Sequence, residues 1–384
     1  MRRISILGCT GSIGKQALQV IRLHPDRFQV AALTAHSDTE GLFDLVREFR
    51  PAFAALTAGE QPIPEDVKAI SEFHFGHGAL AEAAALPETD DVLDAVSGMA
   101  GLEAVLQAGK AGKRVLLANK EALVAGGKLV MALFGLLDEH RLLPVDSEHS
   151  AIWQCLENNS RKGLSEILLT ASGGPFRTWP KERMEHATVE EALGHPNWSM
   201  GKKITIDSAT MFNKALEIIE ARWLFNVDQR KIRVLIHPQS VVHSGVRFRD
   251  GTVLCQLGIP DMRLPILYAM SYPERLETGT EDLDLLKVGS LTFEAPDLSR
   301  FPALDLARQV LDAGGCAACV LNAANEEAAH AFLAGHIPFG GIYRVVDGAL
   351  NALPNREGKT LEDVLEMDTR ARECAKALIR KESV

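Results

Sequence analysis

Two carboxylates flank a serine in PVDSEHSAIW, residues 144–153. Asp146 and Glu148 stand either side of Ser147, after an apolar approach and just before His149. Like charges at the end of a buried strand repel each other and lose hydration, so something must offset both costs. Paired carboxylates serve either as an acid/base couple or as metal ligands. A third acid weighs toward the metal. In DSATMFNKALEIIEARWLF (207–225), Asp207 or Ser208 can open a helix that sets Asn213, Lys214 and Glu217 at i, i+1 and i+4. Asn213 and Glu217 then share a face, with Lys214 three residues before Glu217. An exposed helix with an ordinary ion pair is the plain alternative. Ala215, Ile218 and Trp223, however, give this helix a buried side. An all-oxygen set of Asp146, Glu148 and Glu217 suits a hard cation such as Mg²⁺ or Mn²⁺ better than zinc.

Anion-binding features accompany the acids. LLTASGGP (168–175) reads as a strand entering a Ser-Gly-Gly turn, whose backbone N–H groups can hold an anion; Ser172 sits in it, and Ser208, Asn213 and Lys214 add donors. GHPNWSMGKK (194–203) is polar and flanked by glycine around one large aromatic, Trp198, as a mobile cover would be. Near the start, RISILGCTGSIG (3–14) is a strand, then Gly8, Gly11 and Gly14, then a helix. Such glycines let a pyrophosphate approach a helix N-terminus, although the spacing is not G-x-G-x-x-G. After the second strand, Ala35-His36-Ser37 offers no carboxylate on the strand end for a ribose 2′-hydroxyl, which favours NADP over NAD, with Asp38 close by.

These residues need elements to position them. Ile4–Leu7, Gln29–Leu33, Phe53–Leu56, Val92–Val96, Val115–Ala118 and Leu142–Val145 read as strands, with helices between them at Lys15–Leu23, Thr39–Phe49 and Leu102–Ala108. That alternation is the pattern of a parallel Rossmann-like sheet in an α/β protein, covering residues 1–145. Ligands of such sheets lie beyond the carboxyl ends of the strands, where Asn119-Lys120-Glu121 and Asp146-Ser147-Glu148 fall. Residues 146–270 read as a central α+β domain, with strands at Ile167–Thr170, Lys203–Ile206, Arg233–Ile236, Val241–Arg247 and Thr252–Leu257. Residues 271–298 form a connector rich in Gly, Pro and acid. Helices at Ala303–Leu311, Cys316–Ala334, Tyr343–Leu350 and Leu361–Lys381 make residues 299–384 a helical bundle.

Bulk properties narrow the class. A chain of 384 residues exceeds one ordinary core. A net charge of −10 argues against nucleic acid as a partner. No apolar run reaches the ~18 residues that cross a bilayer, and because the sequence enters a strand at once no signal or transit peptide is expected. Six scattered cysteines make no disulfide framework, so a reducing cytoplasm is expected; the lone Cys316/Cys319 pair lies in an alanine-rich helix as buried small residues.

GCTGSIG (8–14), LANKEALV (117–124), PVDSEHSAIWQ (144–154), TASGGPF (170–176), HPNWSMGKKITIDSATMFNKALE (195–217), HPQSVVHS (237–244) and GIPDMRLPI (258–266) together resemble the 1-deoxy-D-xylulose 5-phosphate reductoisomerase family, in order and over nearly the whole chain. The resemblance implies an NADPH- and metal-dependent rearrangement and reduction of a sugar phosphate by a homodimer on the non-mevalonate isoprenoid route, through retro-aldol cleavage and re-joining. It implies that Asp146, Glu148 and Glu217 hold Mg²⁺ or Mn²⁺ (or Co²⁺), and that Ser147 bonds a substrate hydroxyl. Ser172, Ser208, Asn213 and Lys214, with His195 beside them, would hold the phosphate or its neighbours. Lys120, Glu148 and His195 would take part in catalysis, and Trp198 and Met200 would belong to a flap at 194–203. Thr10, Gly11, Ser12 and Ile13 would meet the cofactor pyrophosphate. His36 and Ser37 would take its 2′-phosphate, and Asn119, Lys120, Glu121, Gly201 and Met262 would line its remaining length. The family usually carries a Gly-Lys/Arg/Ser-Asn-like segment where this chain has Ala35-His36-Ser37. A dehydrogenase acting on a semialdehyde or sugar phosphate, needing no metal, and a non-catalytic NADP sensor are the rival readings.

Overall fold

A computed structural model describes residues 1–157, 159–195 and 201–382. The chain divides into two compact units, the first made of 1–123, 129–150 and 261–281, the second of 124–128, 151–260 and 282–384.

The first unit is built on a seven-stranded sheet: β1 (Arg2–Leu7), β2 (Phe28–Ala35), β3 (Phe53–Leu56), β4 (Glu72–Phe75), β5 (Asp91–Asp94), β6 (Arg114–Leu117) and β7 (Leu142–Pro144), in the order β4-β3-β2-β1-β5-β6-β7. Every adjacent pair is parallel. Ile4, Ile6, Leu33, Ala54, Val92, Leu93, Val115, Leu116 and Leu143 are wholly buried, as strands covered on both faces must be. The order reverses between β1 and β5, the place where open α/β sheets bind ligands at their carboxyl ends. Six of these strands are legible in the sequence within two residues at either end. β4 is not, because EFHF is a short edge strand with no buried residue to mark it.

The second unit carries β8 (Leu164–Ala171), β9 (Ile232–Ile236), β10 (Val242–Phe248) and β11 (Val253–Leu257), ordered β11-β10-β8-β9. β8 and β9 are parallel and the other pairs antiparallel, so this sheet is mixed, as expected for an α+β unit. Helices Ala303–Ala313, Ala317–Leu333, Phe339–Ala352 and Leu361–Glu382 follow.

One expected strand is wrong. Residues 203–206 lie in helix Lys202–Thr210, and Asp207 and Ser208 do not open the next helix but continue this one. The β-branched run Ile204-Thr205-Ile206 suggests a strand, but its tertiary setting overrides that propensity. Thr205, Ile206 and Ala209 bury one helical face. Lys203 pairs with Asp207 one turn on, at 2.5 Å, and the Thr205 hydroxyl donates to the Gly201 carbonyl at 2.9 Å. Met211, at φ +62°, breaks the chain there before helix Phe212–Leu224.

The glycine turn after β1 depends on missing side chains. Gly8 has φ +83°, and a Cβ on it would stand 2.7 Å from the Ala95 carbonyl oxygen. A Cβ on Gly14 would collide with the backbone of Gly8 and Cys9. Gly14→Ala should therefore cost about 1–3 kcal/mol by overpacking and lower the melting temperature by several degrees, read by calorimetry; an unchanged transition would show that the turn can yield.

Candidate functional site

In the first unit, the glycine turn presents Thr10, Gly11, Ser12 and Ile13, with Gly11 and Ser12 exposed. Helix Ser12–Leu23 starts at Gly11 with no side-chain cap and no acid in its first turn, a start whose chemistry suits an anion. The Thr34 carbonyl accepts from both Gly8 (3.1 Å) and Cys9 (2.8 Å), fixing the turn against β2. His36 and Ser37 follow β2 and are exposed, with His36 Nδ1 2.8 Å from the Thr57 hydroxyl. Asp38 is committed elsewhere: it caps helix Thr39–Phe49, accepting from the Gly41 N–H at 3.1 Å.

Past β6, Asn119 caps helix Lys120–Phe134 through the Ala122 N–H (3.2 Å) and donates to the Gly98 carbonyl (2.9 Å). Lys120, 7% exposed, reaches Asp146 Oδ2 at 2.8 Å. Asp146 accepts in addition from the Glu148 and His149 N–H groups at 3.1 and 3.3 Å, and His149 Nδ1 lies 3.0 Å from Oδ1. Burial alone would push the Asp146 carboxyl up, but Lys120 and then His149 hold it well below the usual carboxylate range. The Ser147 hydroxyl donates to Glu148. Glu121 and Met262 are half-buried in this unit.

In the second unit, β8 runs into the Ser172-Gly173-Gly174 turn, with φ +87° and +67° at the two glycines. A Cβ on Gly174 would stand 2.7 Å from the Ser208 carbonyl oxygen, so only glycine lets the turn lie on helix Lys202–Thr210. The Ser172 hydroxyl accepts from the Gly174 N–H (3.2 Å) and meets His195 Nε2 at 3.0 Å. Burial pulls His195 below its ordinary value, which keeps the ring neutral at pH 7. On helix Phe212–Leu224, Asn213 Nδ2 donates to Glu217 at 2.5 Å and Lys214 Nζ to its other oxygen. Glu217 is 0% and Lys214 3% exposed, so the i, i+3 and i, i+4 spacings make an interior ion pair with an amide attached. Gly201 opens helix Lys202–Thr210. Trp198 and Met200 lie outside the described residues.

Two neighbours escape the sequence reading. His149 stands three residues after Asp146 on one helix, a spacing that could have revealed it. Asp94, at the end of β5, is wholly buried beside Asn119 and Gly101, and burial pushes its carboxyl up to about 8. A strand-end aspartate carries no signal of that setting.

Comparison with known proteins matches three family descriptions: 1-deoxy-D-xylulose 5-phosphate reductoisomerase over residues 4–127, the C-terminal domain of that enzyme over 142–225, and the DXP reductoisomerase C-terminal domain over 257–374. The 1-deoxy-D-xylulose 5-phosphate reductoisomerase of Dechloromonas aromatica (strain RCB) is 50% identical, covering 100% of this chain and 98% of its own. That of Cupriavidus metallidurans is 51% identical over 98% of each. Among solved structures, the Zymomonas mobilis enzyme in complex with NADPH superposes with a TM-score of 0.90 at 43% identity, covering 100% of this chain and 99% of its own. A DOX-P reductoisomerase in complex with NADPH, fosmidomycin and magnesium gives 0.91 at 41% identity over all of both chains.

Lys120→Met would leave the buried Asp146 charge with His149 alone, at a cost of about 3–5 kcal/mol. The Asp146 carboxyl lies lower when folded than unfolded. Its stabilisation is therefore present above the unfolded value near 4 and lost as pH falls through the folded one. The variant raises that folded value and so removes part of this stabilisation; by urea unfolding between pH 3 and 7 its deficit against the parent should be full at pH 7 and shrink as pH falls below about 4. Parallel profiles would refute the coupling.

Proposed function

The chain belongs to the 1-deoxy-D-xylulose 5-phosphate reductoisomerase family, and on that premise we propose how its residues divide the work of the family's reaction. The protein is an NADPH-dependent oxidoreductase that, with a divalent metal, converts 1-deoxy-D-xylulose 5-phosphate to 2-C-methyl-D-erythritol 4-phosphate for isoprenoid precursors. One observation carries the assignment of roles: Asp146 and Glu217 are kept as buried carboxylates, each against a buried lysine, where a carboxylate without counter-charge would take up a proton.

Asp146 and Glu148, with Glu217, are the oxygen ligands we assign to Mg²⁺ or Mn²⁺, and Co²⁺ suits the same set. The bound cation supplies Lewis-acid polarisation and a template, and NADPH supplies the hydride that completes the reaction. Lys120 places its ammonium beside the reacting oxygens, and the Ser147 hydroxyl bonds a substrate hydroxyl. The Ser172 turn, Ser208, Asn213 and Lys214 hold the phosphate. His195, which burial keeps neutral, can accept a proton at Nε2 and becomes an imidazolium when it does. The bare start of helix Ser12–Leu23, with Thr10, Gly11, Ser12 and Ile13, takes the pyrophosphate. His36 and Ser37 lie exposed after β2 for the 2′-phosphate, while Asn119, Glu121, Gly201 and Met262 complete the cofactor's surroundings. Trp198, in the flap at 194–203, covers the substrate and excludes water. By this division residues 1–145 bind the cofactor, 146–270 the metal and substrate, 271–298 connect, and 299–384 support them. Retro-aldol cleavage and re-joining asks the site to hold two fragments in register, which the separate phosphate and carboxylate contacts would do.

The working form we infer is a homodimer. β11 is the last strand of its sheet and exposes Val253 and Leu254. Apolar side chains beside an open strand edge suit a second copy of the chain. No helix among the described residues is long and apolar enough to cross a membrane. The described cysteines are all free, which accords with a reducing cytoplasm as its place of work.

NADPH oxidation with 1-deoxy-D-xylulose 5-phosphate should vanish in EDTA and return with Mg²⁺ or Mn²⁺, whereas activity that ignores EDTA would favour a metal-free dehydrogenase. Glu217→Gln should lower metal-supported turnover by about 100-fold or more while the NADPH dissociation constant stays within about twofold; full turnover would remove Glu217 from the ligands. Light scattering at micromolar concentration should give twice the 41.8 kDa chain mass, and a monomer would dismiss the dimer.

A further inference from the structure

Helix Lys202–Thr210 carries Ser208 toward the phosphate side, and Asp207 anchors it from behind. Asp207 is 2% exposed, and its two oxygens are taken by different elements. Oδ2 faces Lys203 of the same helix at 2.5 Å. Oδ1 accepts at 2.8 Å from Nδ2 of Asn325, a wholly buried residue 118 positions away in sequence on helix Ala317–Leu333. That helix is itself held fast. Arg372 of helix Leu361–Glu382 bonds Glu326 at 2.7 Å, Glu327 at 3.3 Å and Asp368 at 2.8 Å, and Asn322 donates to Glu326 at 3.1 Å. On the opposite side, the Ser208 carbonyl lies so near Gly174 that a single added carbon would stand 2.7 Å from it. A shift of Asp207 would therefore pass straight into Ser208 and the Ser172–Gly174 turn.

An apolar contact would hold these helices together equally well, because burying a carboxylate carries a desolvation cost. A directional bond adds what apolar packing lacks: it fixes how far the helix is advanced along its axis and how it is turned. We propose that Asn325 is a positioning residue for the substrate phosphate, setting through Asp207 the rotation and advance of the helix that bears Ser208. The C-terminal helices then act on specificity as well as on stability. This rests on the reading of Ser172, Ser208, Asn213 and Lys214 as the phosphate-holding set.

The test is steady-state kinetics of Asn325→Leu on 1-deoxy-D-xylulose 5-phosphate and on its unphosphorylated ketose, with the NADPH KM in parallel. A lost bond to a charged acceptor should raise the KM for the phosphorylated substrate about tenfold, with kcat/KM for the unphosphorylated ketose and the NADPH KM within about twofold. Equal losses on both ketoses, or no loss on either, would overturn the role. Ser208→Ala separates the two layers of the argument. If it leaves the phosphorylated KM unmoved, the phosphate reading itself fails; if it raises that KM while Asn325→Leu does not, only the positioning role fails. Should Asn325→Leu not fold, the decision passes to Asn325→Asp, which sets carboxylate against carboxylate, and to Asp207→Asn/Asn325→Asp, which rebuilds the bond in reverse. The double variant should return the KM to within about threefold of the parent, and no recovery would overturn the proposal.

Discussion

The structure turns on keeping carboxylates charged where water is scarce. Glu217 is wholly buried and Asp146 largely so, where charge loses hydration. Each is answered by a lysine that is itself buried, Lys120 in the first unit and Lys214 in the second. Asp146 gains further from two backbone N–H groups at the start of its helix and from His149. Because burial and repulsion both oppose these groups, they persist only if the surrounding elements hold the lysines in place. The ends of β6 and β7 do this for one pair, which come from adjacent parallel strands. A single helical turn does it for the other.

The turns after β1 and β8 follow one backbone logic on unrelated elements. Each is a glycine turn after a strand, lying so close to neighbouring backbone that a β-carbon would not fit: Gly8 against Ala95, Gly174 against Ser208. The missing side chains let backbone pack this closely, and at Gly11 the helix start has no side-chain cap.

Much of this is readable in the residues before any coordinates. Alternating apolar runs specify the parallel sheet, since strands covered on both faces can be little else. Local spacing also survives: Asn213, Lys214 and Glu217 make the bonds that helical periodicity expects. Asp38 shows where reading stops. As a residue just past β2 it reads in the sequence as a candidate for a ribose contact, and only the fold shows that it caps its own helix. Residues 203–206 show the reverse failure, a strand-like run made helical by what it is buried against. β4 lacked a buried face and so left no pattern.

What the sequence determined alone were properties set over a few residues: strand and helix periods, glycine turns, and charge pairs one helical turn apart. Only the tertiary structure decided whether a charge is buried and by whom it is met. The distant partners Lys120–Asp146 and Asn325–Asp207 and the raised Asp94 carboxyl are of that kind. Desolvation and directional bonding depend on three-dimensional neighbours, and residues 118 positions apart leave no periodic trace of their meeting.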